Sequence, residues 1–205
     1  MLPEKTHLHK GLDRADSWSV DGHKLLQLPY DSGFAIVKNA EAHHRTMNIS
    51  GGYLNRAPGE GRNPTDHNPE LSRRARGFAA WAVLKYLGRE GVRSAVRKHC
   101  EMGEILATRL SQIEGLSILH KVEFNQIVFA PSNFECPEVS DRQAAELAQK
   151  LNEDHGVFVR DARWRGRNTL RISVTAHGTG QQHVERLGNA IEAAWGEMAR
   201  DSSMI

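Results

Sequence analysis

Lys24 is the residue whose neighbours most favour chemistry. Before it, Trp18 and Val20 alternate with polar residues, which is typical of a half-buried strand, and Asp21-Gly22 is a turn dipeptide. Three leucines follow, and Pro29 prevents them from continuing as a helix. A lysine held between rigid elements and apolar side chains is partly desolvated, which favours its neutral, nucleophilic amine. The segment therefore predicts a lysine that forms a Schiff base with a carbonyl compound.

Strands and helices must position this lysine. Asp31-Ser32-Gly33 predicts a turn into a second strand, Phe34 to Val37, so Lys24 lies between two strands. Further along, apolar residues recur at helical spacing. The predicted helices run from Leu71 to Leu87, after a cap at Asn68-Pro69-Glu70 and before a terminator at Gly88, and from Gly91 to Ile113.

The remainder of the chain has a different pattern, which predicts an α+β domain. Two capping boxes, Ser140 to Gln143 and Thr179 to Gln182, begin helices. Two strands, a helix, two strands and a helix are typical of helices on one side of a mostly antiparallel sheet. The predicted elements are strands at 116–122 and 126–130, a helix from 140 to about 154 that Gly156 ends, strands at 157–159 and 170–174, and a helix from 179.

Composition and charge exclude several classes of protein. The 205 residues are enough for a packed core, and the formal net charge of +2 gives no strong attraction to nucleic acid or anionic membranes. No apolar segment reaches the roughly 18 residues of a membrane span, and no signal peptide is evident. The two cysteines lie far apart in sequence, which indicates a reduced, cytoplasmic protein.

Two competing interpretations concern nucleic acid and metal. Arginines interleaved with an aromatic residue suit phosphate contact and base stacking. This pattern occurs at Arg160, Arg163, Arg165 and Arg167 around Trp164. The 11 histidines include the local pairs His7/His9 and His43/His44, but no His/Cys spacing of a zinc type appears. We therefore predict neither a nucleic-acid partner nor a metal site.

The residues around Lys24 resemble a known family. Ser17, His23-Lys24 and the segment Pro29 to Gly33 are similar to the cofactor-lysine segment of the pyridoxal-phosphate-dependent group II decarboxylases, which include aromatic amino acid and glutamate decarboxylases. The resemblance implies an α/β chain of the fold-type I PLP-dependent transferases. It also implies that pyridoxal 5'-phosphate is held as a Schiff base on Lys24, with His23 by the cofactor phosphate and Ser17 in the same cofactor-binding segment. The implied activity is that of an amino acid carboxy-lyase.

A segment rich in glycine and proline, Ser50 to Pro69, corresponds to the family's loop over the active site. In the family this loop carries an aromatic residue, often tyrosine, that assists protonation of the carbanion. Our alignment places Asp66-His67 near that position. His67 is then either a substitute catalytic acid or a solvated loop residue.

Arginines of the chain match two further family features. In the final strand, Arg171 follows Trp164-Arg165-Gly166-Arg167 and is a candidate for binding the carboxylate of an amino acid substrate, because a guanidinium pairs bidentately with carboxylates. The alternative is an arginine solvated on the open face of the sheet. The arginines within Ser72 to Arg76 either approach the active site or solvate an exposed turn.

The resemblance covers only the later part of the family's architecture, since 23 residues precede Lys24. The family's ring-stacking histidine and pyridine-facing aspartate cannot be located. We therefore predict a truncated large domain at 1–114 and a C-terminal α+β small domain at 115–205. The chain is expected to be a truncated gene product, a fragment or half of a split enzyme, in a homodimer or with a complementing chain. A non-catalytic remnant is the alternative.

Overall fold

The computed structural model describes residues 2–48, 61, 63–132 and 136–203, with side chains to residue 200. The chain forms two compact units, Met1–Val92 and Arg93–Ile205. The boundary between them in the chain, after Val92, falls within a long helix, Arg76–Ser111. The assignment of 1–114 to a large domain and of 115–205 to a small domain stays a prediction.

The first unit is built around a two-stranded antiparallel hairpin. Strand β1, Ser17–Asp21, pairs with β2, Gly33–Val37, in a register that places Ser17 opposite Val37 and Asp21 opposite Gly33. The predicted pair of strands on either side of Lys24 is therefore confirmed. The other elements of this unit are the 3₁₀ helices Pro3–His9, Leu12–Arg14 and Pro64–His67, the helix α1, Ala40–Met47, and the first part of α2.

Helix α2 spans Arg76–Ser111 and is interrupted at Gly88, whose φ of 62° and ψ of −176° are not helical. The predicted break between two helices is thus confirmed. The predicted beginning at Leu71 is wrong, and so is the cap before it. The Asn68 side-chain amide donates back to the Pro64 carbonyl, 3.1 Å away, so it closes the preceding 3₁₀ turn instead of beginning a helix.

The second unit contains a four-stranded antiparallel sheet with strand order β3-β4-β6-β5. Helices α3 and α4 and the last part of α2 share one hydrophobic core with it. This agrees with the predicted α+β pattern. The bounds are β3, Leu116–Ile118; β4, Gln126–Pro131; α3, Pro137–Asp154; β5, Arg160–Trp164; β6, Arg167–Ser173; and α4, Gln181–Ser203.

The core lies against one face of this sheet. Phe129 of β4 pairs with Leu170 of β6, and both side chains are fully buried. The facing helices contribute large apolar side chains at helical spacing. The fully buried members from these helices are Leu106, Leu110, Leu147, Leu151 and Ile191.

The third predicted strand lies three residues later than expected. Val159, which we placed within it, pairs instead with a side chain of α3. Its N–H donates to Asn152 Oδ1 at 2.8 Å, and its carbonyl accepts from Asn152 Nδ2 at 3.0 Å. Because the backbone groups of Val159 are already bonded, the ladder with β6 begins only at Arg160.

Both predicted capping boxes are wrong in detail. Helix α3 begins at Pro137, and the buried Ser140 hydroxyl donates to the Pro131 carbonyl at 2.9 Å, so it links the helix to β4. Helix α4 begins at Gln181, and the Gly180 N–H donates to Nδ1 of His183 at 3.1 Å. His183 therefore accepts the hydrogen bond from the N–H before the helix, which the glutamine of a capping box would otherwise accept.

Stability of the second unit should depend on pH through His99. This α2 side chain is 1% exposed, and its burial lowers the pKa of His99. The unfolded chain therefore binds a proton at a higher pH than the folded chain, so stability is lost as pH falls through about 6.5, the unfolded value. We expect the urea concentration at the unfolding midpoint to decrease when the pH is lowered from about 7.5 to about 5.5. The decrease should be smaller in His99→Gln. The exposed His7→Gln should retain the wild-type slope, and an equal slope in His99→Gln would contradict this role for His99.

Candidate active site

The turn between β1 and β2 presents Lys24. The N–H of Lys24 donates to the Asp21 carbonyl at 3.4 Å, and the Lys24 carbonyl accepts from the Gln27 N–H at 3.0 Å. The Leu28 N–H then donates to the Gly22 carbonyl at 3.1 Å. These bonds make the chain after β1 a compact, internally bonded loop, with Lys24 near its start.

Gly22 allows this loop to close. A Cβ at this position would lie 2.7 Å from Cδ1 of Leu28 and 2.9 Å from Cε2 of Phe34, closer than ordinary carbon contacts. Leu28 is only 4% exposed, so its side chain has little room to withdraw. Leu28, one of the three leucines expected to desolvate the lysine, is thus buried under the turn.

Lys24 itself is exposed and ion-paired, and the predicted desolvation is wrong. Its side chain is 63% exposed, and its Nζ donates a hydrogen bond to Oδ2 of Asp21. This hydrogen bond lowers the pKa of Asp21, so the carboxylate is charged at neutral pH. The described residues therefore present a lysine in water beside a carboxylate.

His23 is held firmly beside Lys24. Its ring is half-buried, and Nδ1 lies 2.7 Å from the Ser32 carbonyl oxygen and 3.2 Å from the Ser32 nitrogen, so it bonds Ser32 in either tautomer. The ring also packs against Tyr30, with ring centroids 4.3 Å apart. Nε2 then lies 4.0 Å from Oδ1 of Asp21. The hairpin therefore brings His23, Lys24 and Asp21 together.

The arginine-rich start of α2 fixes the turn before β2. Arg76 donates to both carboxylate oxygens of Asp31, at 3.0 and 3.2 Å, and Arg74 donates to the Tyr30 carbonyl at 3.0 Å. The Arg76 hydrogen bonds lower the pKa of Asp31. Instead of only solvating a turn, as one alternative held, two of these arginines connect α2 to the segment that holds His23.

The other predicted site residues are Ser17, His67 and Arg171. Ser17 is exposed at the start of β1. His67 ends a 3₁₀ helix and lies among imidazoles, with its ring centroid 5.4 Å from that of His43 and 6.4 Å from that of His44. Arg171 belongs to the second unit, where it is exposed on β6 between Val128 and Arg160. The functional roles of these three residues stay predictions.

Two residues that bear on the site are not marked by the motifs in the sequence. Asp21 belongs to a turn dipeptide, and its position three residues before Lys24 is the signal that indicates a contact. Tyr53 is the other residue. It is the single tyrosine of the segment 50–69, in which we had sought the family's aromatic residue, and it lies outside the described residues.

Within the described ranges, no cluster of three or more His, Cys, Asp or Glu side chains could hold a metal ion. In the same part of the chain, no helix is both long enough and apolar enough to cross a membrane.

Solved structures define the class of fold. The crystal structure of Oryza sativa TDC with PLP and tryptamine matches 96% of this chain and 42% of its own, with a TM-score of 0.88 and 22% identity. Catharanthus roseus tryptophan decarboxylase in complex with L-tryptophan matches 95% of this chain and 41% of its own, with a TM-score of 0.80 and 22% identity. The fold is that of the fold-type I PLP-dependent enzymes.

The family follows from sequence. Residues 1–131 match the model of the pyridoxal-dependent decarboxylase conserved domain, and this chain belongs to that family. It is 25% identical over 219 residues to 3,4-dihydroxyphenylacetaldehyde synthase of Drosophila melanogaster, covering 100% of this chain and 39% of the relative. It is also 25% identical over 188 residues to aromatic-L-amino-acid decarboxylase of Mus musculus, covering 90% and 38%. The chain thus spans about two fifths of the length of these relatives.

Proposed function

We propose that this chain supplies the cofactor lysine, Lys24, to a pyridoxal-phosphate-dependent amino acid decarboxylase. The remaining groups of the active site come from residues that the 205-residue chain does not contain. They belong either to a longer polypeptide or to a second chain. The observation that carries this proposal is the hairpin that presents Lys24, with its amine in solvent and His23 fixed beside it.

The residues present fit the attachment of the cofactor. Lys24 offers an accessible primary amine, and His23 offers a ring nitrogen that Ser32 does not occupy. A cleft in the same unit extends from Ser32 along the start of α2 and is lined by three arginines. That cleft provides room near the turn, and its three arginines outnumber Asp31 and Glu70, the two carboxylates that pair with Arg76, so it keeps a positive charge for an anionic phosphate. When bound, pyridoxal phosphate supplies the electron sink for decarboxylation.

The exposed aromatic face of α2 supports the need for further residues. Phe78 is 73% exposed, Trp81 is 61% exposed and Tyr86 is 89% exposed. The rings of Phe78 and Trp81 lie 6.2 Å apart, so they form a patch rather than isolated side chains. Exposed apolar patches mark surfaces that another segment covers. In both structural relatives, more than half of the chain lies outside the part that matches. A covering segment from among such residues fits the exposed patch.

The relatives leave the reaction open between two outcomes, because their names include both decarboxylases and aldehyde synthases. We propose decarboxylation of an amino acid. His67 and Tyr53 are the candidates for returning a proton to the product. His67→Gln and Tyr53→Phe should be assayed separately. The assay uses the longer polypeptide, or the chain together with its partner, in which the complete active site releases carbon dioxide. The candidate whose replacement leaves the release of carbon dioxide and amine unchanged is not the proton donor.

A non-catalytic role is the second candidate, and the ion pair of Lys24 favours it for the chain by itself. An exposed ammonium beside a carboxylate does not have the desolvated environment of an activated amine. The two candidates differ in cofactor binding. The test adds pyridoxal phosphate to the chain and reduces the product with borohydride. The modified lysines are then mapped by mass spectrometry. Enrichment of the label at Lys24 supports the decarboxylase role, and uniform labelling of all lysines contradicts it.

A further inference from the structure

Asp21 is the carboxylate that contacts Lys24. Asp21 ends β1, and the bond from the Lys24 N–H to the Asp21 carbonyl turns the chain so that the two side chains meet. Nζ then donates to Oδ2. The other titratable neighbour is His23, whose Nε2 lies 4.0 Å from Oδ1 of Asp21. Among the described residues, Lys24 pairs with Asp21 alone, and Asp21 has no ion pair besides those with Lys24 and His23.

We infer that Asp21 is a positioning residue that holds the amine of Lys24 at the turn through a hydrogen bond and thereby slows its reaction with an aldehyde. This inference rests on the proposed role of Lys24. It assigns to Asp21 a control over cofactor attachment, since the carboxylate must give up its hydrogen bond to the lysine before the amine can react.

The chemistry of attachment explains the direction of this effect. The ammonium first releases one proton to solvent, and the nitrogen lone pair then attacks the aldehyde carbon. The carbonyl oxygen leaves as water with the two remaining protons of the nitrogen, and a carbon–nitrogen double bond replaces the carbon–oxygen bond. While Nζ donates to the Asp21 carboxylate, it is held at the turn, and it must leave that hydrogen bond before it can reach the carbonyl carbon. The charge of Asp21 also opposes the approach of an anionic phosphate.

The expected size of the effect follows from exposure. The side chains of Lys24 and Asp21 are 63% and 49% exposed, so water screens their attraction. An exposed ion pair of this kind corresponds to a change of about two- to fivefold in the equilibrium between the bonded and the released Lys24 side chain. The effect should diminish in about 1 M salt, where the screening length is only about 3 Å.

The experiment compares the reactivity of individual lysines in the whole chain. The probe is a neutral acetylating ester, and the rate at Lys24 is measured by mass spectrometry relative to Lys10, an exposed lysine without an ion pair among the described residues. We expect Asp21→Asn to raise the relative rate at Lys24 about two- to fivefold. Asp21→Glu keeps the charge and should restore a rate near that of the wild type. Asp13→Asn removes an exposed carboxylate elsewhere in the unit and should leave the rate unchanged.

The outcomes separate this inference from the proposed function. Equal acetylation of Lys24 in wild type and Asp21→Asn would overturn the role of Asp21, whatever the cofactor does. An increase in acetylation confirms that role, and the same variants are then labelled with pyridoxal phosphate and borohydride. If Lys24 responds to the ester but gains no preference for pyridoxal phosphate, the proposed function fails and the positioning role of Asp21 remains.

Discussion

Lys24→Arg should abolish the preferential labelling of this chain by pyridoxal phosphate. Arginine keeps the positive charge and can still pair with Asp21, but its guanidinium does not form a stable double bond to an aldehyde carbon. In the wild type, contacts of the phosphate with His23 and the arginine-lined cleft should raise the local concentration of aldehyde at Lys24. We expect labelling at Lys24 about tenfold above that at Lys10, an advantage of about 1.4 kcal/mol.

The measurement is the mass added per chain after reduction, with the modified peptide identified for each variant. Lys10→Arg is the matched control, because it removes an exposed lysine of the same unit without changing the charge. It should retain the labelling of Lys24. Labelling that saturates with cofactor in the wild type and the control, and is lost in Lys24→Arg, identifies a binding site. If Lys24→Arg loses no more label than Lys10→Arg does, Lys24 has no cofactor role in this chain.

Phe129→Ala should strongly destabilise the second unit. Phe129 is fully buried on β4, opposite Leu170 and within the core that β4 and β6 share with α3 and α4. Removing a buried phenylalanine ring costs about 3–5 kcal/mol, because the lost burial and the remaining cavity both act against folding. This loss is a large fraction of the typical 5–15 kcal/mol that stabilises a domain.

Urea unfolding followed by tryptophan fluorescence measures the effect in a background in which Trp18 and Trp81 of the first unit are replaced by phenylalanine, so that only Trp164 and Trp195 of the second unit report. Phe158→Ala removes the same group from a side chain that is 82% exposed and should change stability by no more than about 0.5 kcal/mol. Phe129→Leu keeps most of the apolar volume and serves if the alanine variant does not fold; we expect an intermediate loss. Equal midpoints for the exposed and buried variants would refute the assignment of Phe129 to the core.

The type of most elements could be read from the sequence, because hydrophobic periodicity is a local property. The alternation around Trp18 and Val20 predicted β1, and the break at Gly88 separated the two parts of α2. The Ser17 and His23-Lys24 signature identified the family that the match over residues 1–131 shows. Side chains that contact their near neighbours in sequence produce such patterns, so these features do not depend on the rest of the fold.

Boundaries and surroundings depended on tertiary contacts. The third strand of the sheet begins at Arg160 rather than Val157 because Asn152, a residue of α3, bonds both backbone groups of Val159. Similarly, Ser140 matched a capping box in sequence but donates to Pro131 of another element. A partner distant in sequence leaves no local signal, which explains why these positions were assigned incorrectly.

The sequence by itself determined the family and the two strands that flank Lys24. Only the tertiary structure decided the environment of that lysine. The leucines after Lys24 suggested desolvation, but Gly22 lets Leu28 fold under the turn, and the amine is left in solvent beside Asp21. The physical reason is that the burial of a side chain depends on which residues of the folded chain pack against it. The composition of the neighbouring sequence does not specify the direction in which each apolar side chain turns.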